Sequence, residues 1–208
     1  MSLYIVATPI GNLDDITFRA VEILKTVDVI LAEDTRHSKR LMNHYDIATP
    51  MRAFHEHNET QKSAAMINEL LAGKTMALIS DAGTPLISDP GYVLVSEAKK
   101  SGVNVVPIPG PSAMISALST SGVASDRFGF FGFLPSKQSA RLKAIQAIAH
   151  IDQTAIFYES PKRILACAQD LQSILGDERI VCFAKELTKT FETIKTDTLP
   201  ALIDYLQA

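Results

Sequence analysis

Short β-rich apolar runs alternate with helical stretches along the whole chain, and that alternation restricts the fold more than any other feature. Leu3–Ala7 (LYIVA), Asp28–Ala32 (DVILA), Thr75–Ile79 (TMALI) and Val103–Ile108 read as strands. Between the first two lies a helical stripe of Ile16, Ala20, Ile23, Leu24 and Val27, with Asp15 placed to cap it. A polar helix is predicted over about Thr35–Tyr45, a short strand around Met51–Phe54, and helices over Glu59–Ala72 and Tyr92–Lys100. Pro107-Ile-Pro-Gly-Pro111 then interrupts the pattern. Proline restricts itself and its predecessor, so this stretch continues neither a helix nor a central strand.

Beyond it the alternation resumes. A small-residue helix over Ser112–Ser121 precedes an aromatic strand at Phe128–Phe133 (FGFFGF), a helix over Ser139–Ile148 and a strand at Thr154–Tyr158. Ser160, with Pro161 after it, reads as the cap of a further helix; Arg179–Ala184 is a strand, and a last helix covers about Leu199–Leu206. Such alternation predicts α/β architecture with sheets covered by helices. The proline stretch divides it into an N-terminal α/β domain over residues 1–108 and a C-terminal α/β domain over 109–208.

Composition sets the compartment. The chain has 208 residues, 47% of them apolar, enough for one large core or two smaller ones. Its two cysteines, Cys167 and Cys182, are too few for a disulfide framework and point to a reducing compartment. The N-terminus lacks the basic region and apolar core of a signal peptide, and no apolar run approaches a membrane span. A cytoplasmic protein without a membrane partner is expected. The net charge of −3 argues mildly against nucleic acid. Arg36-His37-Ser38-Lys39-Arg40 is a dense basic exception.

The stretch that asks most for a function is Ser80–Gly91 (SDAGTPLISDPG). A strand-to-helix connector normally needs about two to six residues, and this one is about twice that. No G-x-G-x-x-G follows the first strand, and neither G-x-x-x-x-G-K-[ST] nor G-x-S-x-G occurs, which argues against the usual dinucleotide, nucleotide and hydrolase motifs. His55-x-His57 has no recognisable third ligand, so no metal site is predicted. What remains is a set of turns at strand ends: 8–13, 33–36, 80–91, 109–113, 159–163 and 185–189. In parallel sheets such turns line the carboxyl edge, where ligands bind. Their glycine, serine, threonine and aspartate suit a neutral or cationic ligand better than a polyphosphate.

Eight segments, in order LYIVATPIGNLDDIT, AEDTRHSKRL, FHEHNE, ISDAGTPLISDPG, PIPGPSAMISAL, FGFLPSK, YESPKR and AKELTKTFE, carry a resemblance that spans residues 3 to 193. Together they resemble the bacterial small-subunit ribosomal RNA cytidine-2′-O-methyltransferases of the tetrapyrrole methylase superfamily. The resemblance implies two α/β domains with S-adenosylmethionine in the cleft between them, and a homodimer. It implies that the 79–91 loop is the main cofactor cradle, with Asp81, Gly83, Thr84 and Ile87. Ile10 joins from the first loop, Ser112 and Ala113 from the start of the second domain, and Tyr158 and Ala184 on the adenine side.

Ribose 2′-O-methylation aligns an acceptor oxygen with a methyl group and moves one proton, so a general base or a water chain is expected. Asp34, His55, Glu56, Asp81, Glu159 and Lys185 are candidates, and no spacing rule selects among them; Asp34 and Glu56 are the preferred pair. Arg36, Lys39, Arg40, His55 and His57 are the expected contacts to small-subunit ribosomal RNA or the small ribosomal subunit. A small-molecule methylase of tetrapyrrole type and a non-catalytic ligand-binding relative are the alternatives, and the basic cluster with FHEHNE favours the RNA acceptor. Related methylases generally continue past the ELTKxxE segment into another strand. The C-terminal domain is accordingly expected to be shortened at its C-terminus.

Overall fold

The computed structural model describes residues 1–208, apart from the side chain of His57. Contacts divide the chain into two compact units, Met1–Ser112 and Ala113–Ala208.

Unit 1 is built on five parallel strands in the order β3-β2-β4-β1-β5. These are β1 (Ser2–Val6), β2 (Val29–Ala32), β3 (Met51–Ala53), β4 (Thr75–Ile79) and β5 (Asn104–Ile108). Four helices follow the first four strands in turn: α1 (Phe18–Thr26), α2 (Thr35–His44), α3 (Glu56–Leu71) and α4 (Tyr92–Lys100). The pleat sends alternate residues of β4 to opposite faces. Ala77 and Ile79 join Val6, Leu24, Ile30 and Leu41 under α1 and α2. Met76 and Leu78 join Leu3, Phe54, Leu70 and Leu94 under α3 and α4. Both faces are therefore covered, which is why β2 reads as an unbroken apolar run and is buried throughout.

The strand order has one consequence for function. From β1 the chain runs through α1 to β2, towards one edge of the sheet; from the adjacent β4 it runs through α4 to β5, towards the other. The two connections leave on opposite faces. A crevice therefore opens beyond the carboxyl ends of β1 and β4, the place where open parallel sheets bind ligands.

Two local expectations fail for physical reasons. Asp15 does not cap α1; it sits in a 3₁₀ turn over Leu13–Asp15, and Thr17 caps the helix by accepting from Ala20 N at 3.2 Å. Ser160 and Pro161 belong to a turn, and the helix predicted there, α7, begins at Ile164.

Unit 2 contains α5 (Ala113–Thr120), β6 (Phe128–Phe133), α6 (Gln138–Ile148), β7 (Thr154–Tyr158), α7 (Ile164–Leu175), β8 (Ile180–Lys185), β9 (Thr193–Thr198) and α8 (Leu199–Gln207). β6 pairs with β7 in parallel and β8 with β9 antiparallel, giving two two-stranded sheets. Sequence reading misses β9 because TIKTDT carries a single aliphatic residue. Leu134, Ile145, Cys167, Leu171 and Leu199 form the core. Within it Asp170 Oδ2 accepts from Arg141 Nε at 2.7 Å, and the two side chains are 7% and 5% exposed. A cavity of about 400 Å³ is bordered by every residue of β7 and by Ile180–Ala184 of β8. Successive residues of a strand point to opposite faces, so the cavity meets both strands along their edges.

Candidate functional site

Loops following β1, β2 and β4 meet at the carboxyl edge of unit 1. Thr8, after β1, and Gly83, in the long loop, exchange backbone hydrogen bonds of 2.9 Å in both directions. The Thr8 hydroxyl, buried, donates to the Ser80 carbonyl at 3.1 Å. Thr84 Oγ1 donates to the Pro111 carbonyl at 3.1 Å, which fixes the proline-rich stretch against the same loop. The 80–91 loop also carries non-glycine residues in the left-handed region, Leu86 at φ 73° and Ser88 at φ 67°. Such backbone persists only where its surroundings hold it.

Carboxylates gather where this loop meets the end of β2. Asp34 N donates to Asp81 Oδ1 at 3.1 Å, and the Asp81 N–H donates to the Glu33 carboxylate. Burial behind β2 pushes Glu33 above the usual carboxylate range, and Asp81, Asp89 and Asp34 add to the rise. Asp89 is also raised, by burial first and by Asp81 in addition, while a hydrogen bond from Ser80 opposes the rise. Asp34 goes the other way. Its Oδ1 caps α2 by accepting from Arg36 N at 2.8 Å and His37 N at 3.4 Å, and the Arg36 amide is the main cause of its lowered pKa.

On α2 the buried side is Ser38, Leu41 and Met42. Arg36, Lys39 and Arg40 are exposed, at the three- and four-residue spacings that place side chains on one helix face. Arg36 Nε lies 3.6 Å from Asp34 Oδ1 with its side chain 92% exposed, so the pair restrains the guanidinium little. His55 precedes the first turn of α3; its backbone N–H donates to Asn58 Oδ1 at 3.1 Å, and its Nε2 lies 2.9 Å from Asn58 Nδ2. Glu56 is exposed at the first position of that helix, and the side chain of His57 lies outside the described residues.

The expected cofactor residues fall in both units. Ile10, Asp81, Gly83, Thr84, Ile87 and Ser112 belong to unit 1, where Gly83 is buried and Ile87 is 38% exposed. Ala113, Tyr158 and Ala184 belong to unit 2 and border its cavity. The Tyr158 ring packs edge-on against Phe130 and Phe133, with centroids 4.9 and 5.7 Å away. Among the described residues, no three His, Cys, Asp or Glu side chains group as metal ligands, and no helix is long and apolar enough to cross a membrane.

Sequence reasoning passed over Glu33, Asp89, Thr8 and Glu59. Glu33 carried one signal, its place directly after a wholly apolar strand, where a carboxyl group leaves a desolvated edge. Thr8 and Glu59 act through partners 75 and 32 residues away, Gly83 and Gly91, and nothing local announces such pairs.

The chain is 55% identical over 204 residues to the ribosomal RNA small subunit methyltransferase I of Vibrio cholerae, covering 98% of this chain and 71% of that protein. It is 50% identical to the protein of the same name from Synechocystis sp., covering 98% and 73%. Among solved structures, diphthine synthase superposes with a TM-score of 0.76 at 18% identity, over 98% of this chain and 84% of that one. Uroporphyrin-III-C-methyltransferase from Thermus thermophilus gives 0.67 at 15%, over 97% and 86%. At such identities the two structures speak for the fold alone. Residues 2–203 match the family of tetrapyrrole (corrin/porphyrin) methylases, and the chain belongs to that family.

Proposed function

We propose that this chain transfers a methyl group from S-adenosylmethionine to small-subunit ribosomal RNA, at the 2′-oxygen of a cytidine ribose. The observation that carries the reading is the crevice between β1 and β4, closed by the Thr8–Gly83 bridge and edged by carboxylates. The names and identities of the Vibrio cholerae and Synechocystis relatives supply the RNA acceptor. When bound, S-adenosylmethionine supplies a methyl group on a cationic sulfur. The residues suit such a ligand. Glu33 and Asp89 are both raised by burial and by like charge, and a cation brought against them relieves that repulsion.

The chain's own groups divide the remaining work. Asp81, Gly83, Thr84 and Ile87, with Ile10 and Ser112, hold the cofactor. Glu33 accepts the proton of the ribose hydroxyl, because burial at the end of β2 raises its pKa and makes it a better base than an ordinary carboxylate. Asp34, already accepting two amide hydrogen bonds, is a weaker base and orients α2. Glu56 and His55 face the acceptor nucleotide. Arg36, Lys39 and Arg40 contact phosphates. The protein acts in the cytoplasm as a homodimer.

The test is transfer of methyl label from S-adenosylmethionine to small ribosomal subunits, free small-subunit RNA and a porphyrinogen, followed by mass spectrometry of the labelled nucleoside. Label on a 2′-O-methylcytidine supports the reading. Label on the porphyrinogen alone moves the chain to a small-molecule acceptor, and no transfer to any of the three overturns the assignment.

A further inference from the structure

Helix α4 starts without a cap of its own: Gly91 stands at the cap position and has no side chain to accept from the first amides. The acceptor comes from another helix. Glu59, in the first turn of α3 and 7% exposed, accepts through one oxygen from Gly91 N at 3.1 Å, Val93 N at 2.7 Å and Leu94 N at 3.3 Å. A carboxylate there also meets the positive end of the α4 dipole.

We infer that Glu59 is a positioning residue that holds the end of the cofactor loop and ties it to the acceptor-facing turn of α3. The inference rests on the cofactor reading of the 80–91 loop given above. Geometry gives the loop two anchors. The Thr8–Gly83 bridge fixes its first half, and Glu59 fixes its second half where the chain enters α4. Between them lie Leu86 and Ser88, whose left-handed backbone requires restraint from outside. Gly91 itself, at φ 129°, brings the chain so near the sheet that a Cβ there would lie 2.6 Å from Leu78 Cδ2. The loop end therefore has one seat, and Glu59 holds the chain in it.

The same turn of α3 carries Glu56 three residues earlier, with His55 preceding it. A shift of the loop end moves Glu59 and with it the residues assigned to the nucleotide. Through a single side chain, cofactor and acceptor groups keep a fixed register, and methyl transfer depends on that register.

The experiment compares the full chain with Glu59→Gln and Glu59→Ala. Three readouts are taken: amide exchange of residues 80–94 without ligand, the Kd for S-adenosylmethionine by calorimetry, and KM against kcat for small subunits at saturating cofactor. Glu59→Gln keeps an acceptor oxygen and is expected to hold Kd within about threefold. Glu59→Ala leaves three amides without their acceptor and is expected to raise Kd by about 10- to 100-fold, with faster loop exchange. The RNA KM rises with it, while kcat at saturation falls less than KM rises. Unchanged loop exchange in a folded Glu59→Ala protein overturns the inference. If that variant does not fold, Glu59→Gln decides: Kd raised by more than tenfold shows that an acceptor oxygen alone does not hold the loop, and it too overturns the inference. Faster exchange with an unchanged Kd leaves the anchor standing and refutes the cofactor reading of the loop.

Discussion

Thr8 and Gly83 are bound to each other twice, the N–H of each donating to the carbonyl of the other at 2.9 Å. The bridge joins the loops that leave adjacent strands in opposite directions, so the crevice they enclose is a product of strand order. Gly83 holds a φ of 81°, which an L-residue adopts at a cost of about 1–2 kcal/mol. A Cβ there would meet Ile10 and Pro111 only at ordinary contact distance. Gly83→Ala should therefore lower stability by about that amount in urea titration and weaken S-adenosylmethionine in calorimetry. A cofactor Kd equal to that of the unaltered chain would remove the bridge from the binding site.

Glu33 should cost the fold stability at neutral pH. Its folded pKa is raised by burial and then by Asp81 and Asp89. The sign follows: the native state holds the proton more tightly than the unfolded chain. Stability is full below the unfolded carboxyl pKa and declines as pH rises through the higher folded value. Glu33→Gln should stabilise unit 1 above that pH, read as slower amide exchange of its strands, flatten the pH dependence of that stability and depress methyl transfer. A variant that is both less stable and fully active would contradict the role given to Glu33.

Much of unit 1 is legible from sequence because its inner strands β2 and β4 are buried almost throughout and read as short apolar runs between helices. The carboxyl-edge loops are legible for the same reason, since each begins where a run stops. The crevice is another matter. Its bonds, Thr8 to Gly83, Asp34 to Asp81 and Glu59 to Gly91, span 32 to 75 residues, and they exist only once β4 has inserted between β1 and β2. Unit 2 is harder to read throughout. Its strands are only half-buried, and in TIKTDT the β signal rests on threonines that suit a turn equally well.

The pair Arg141–Asp170 is a second test of stability, away from the crevice. Asp170 also accepts from Gln138 Nε2 at 2.8 Å, so both carboxylate oxygens are engaged. Removing the carboxylate strands a buried guanidinium. Asp170→Ala should destabilise the protein by about 3–5 kcal/mol in urea denaturation. A loss under about 1 kcal/mol would mean that water reaches the guanidinium in place of the carboxylate.

The two thiols should differ sharply. Cys167 is fully buried and burial pushes its pKa up to about 11. Cys182 is partly exposed and borders the cavity of unit 2. Titration of the native protein with a maleimide at pH 7.5 should label Cys182 and leave Cys167 unmodified until denaturant is added. Mass spectrometry of the labelled peptides reads the result, and early label on Cys167 would contradict its burial.

The basic face of α2 is open to a salt test. Replacing Arg36, Lys39 or Arg40 by glutamine should reduce the slope of log K for small-subunit RNA against log salt by roughly one unit each. Cofactor affinity should not change. Three unaltered slopes would leave these residues as solvated charge.

The open edges of β7 and β8 bear on how the chain comes apart. Each of these strands is bonded on one side only, and the cavity of about 400 Å³ runs along both of the free sides. Unit 1 has no such interruption, with Leu3, Ile30, Met76 and Leu78 sealed within a continuous five-stranded sheet. Cooperativity in a domain comes from contacts that fail together, and a void between two small sheets separates contacts that would otherwise do so. Heating is therefore expected to melt unit 2 while the crevice of unit 1 is still formed, and calorimetry should resolve two transitions. A single melting temperature read on the whole chain describes the weaker unit and understates the durability of the crevice.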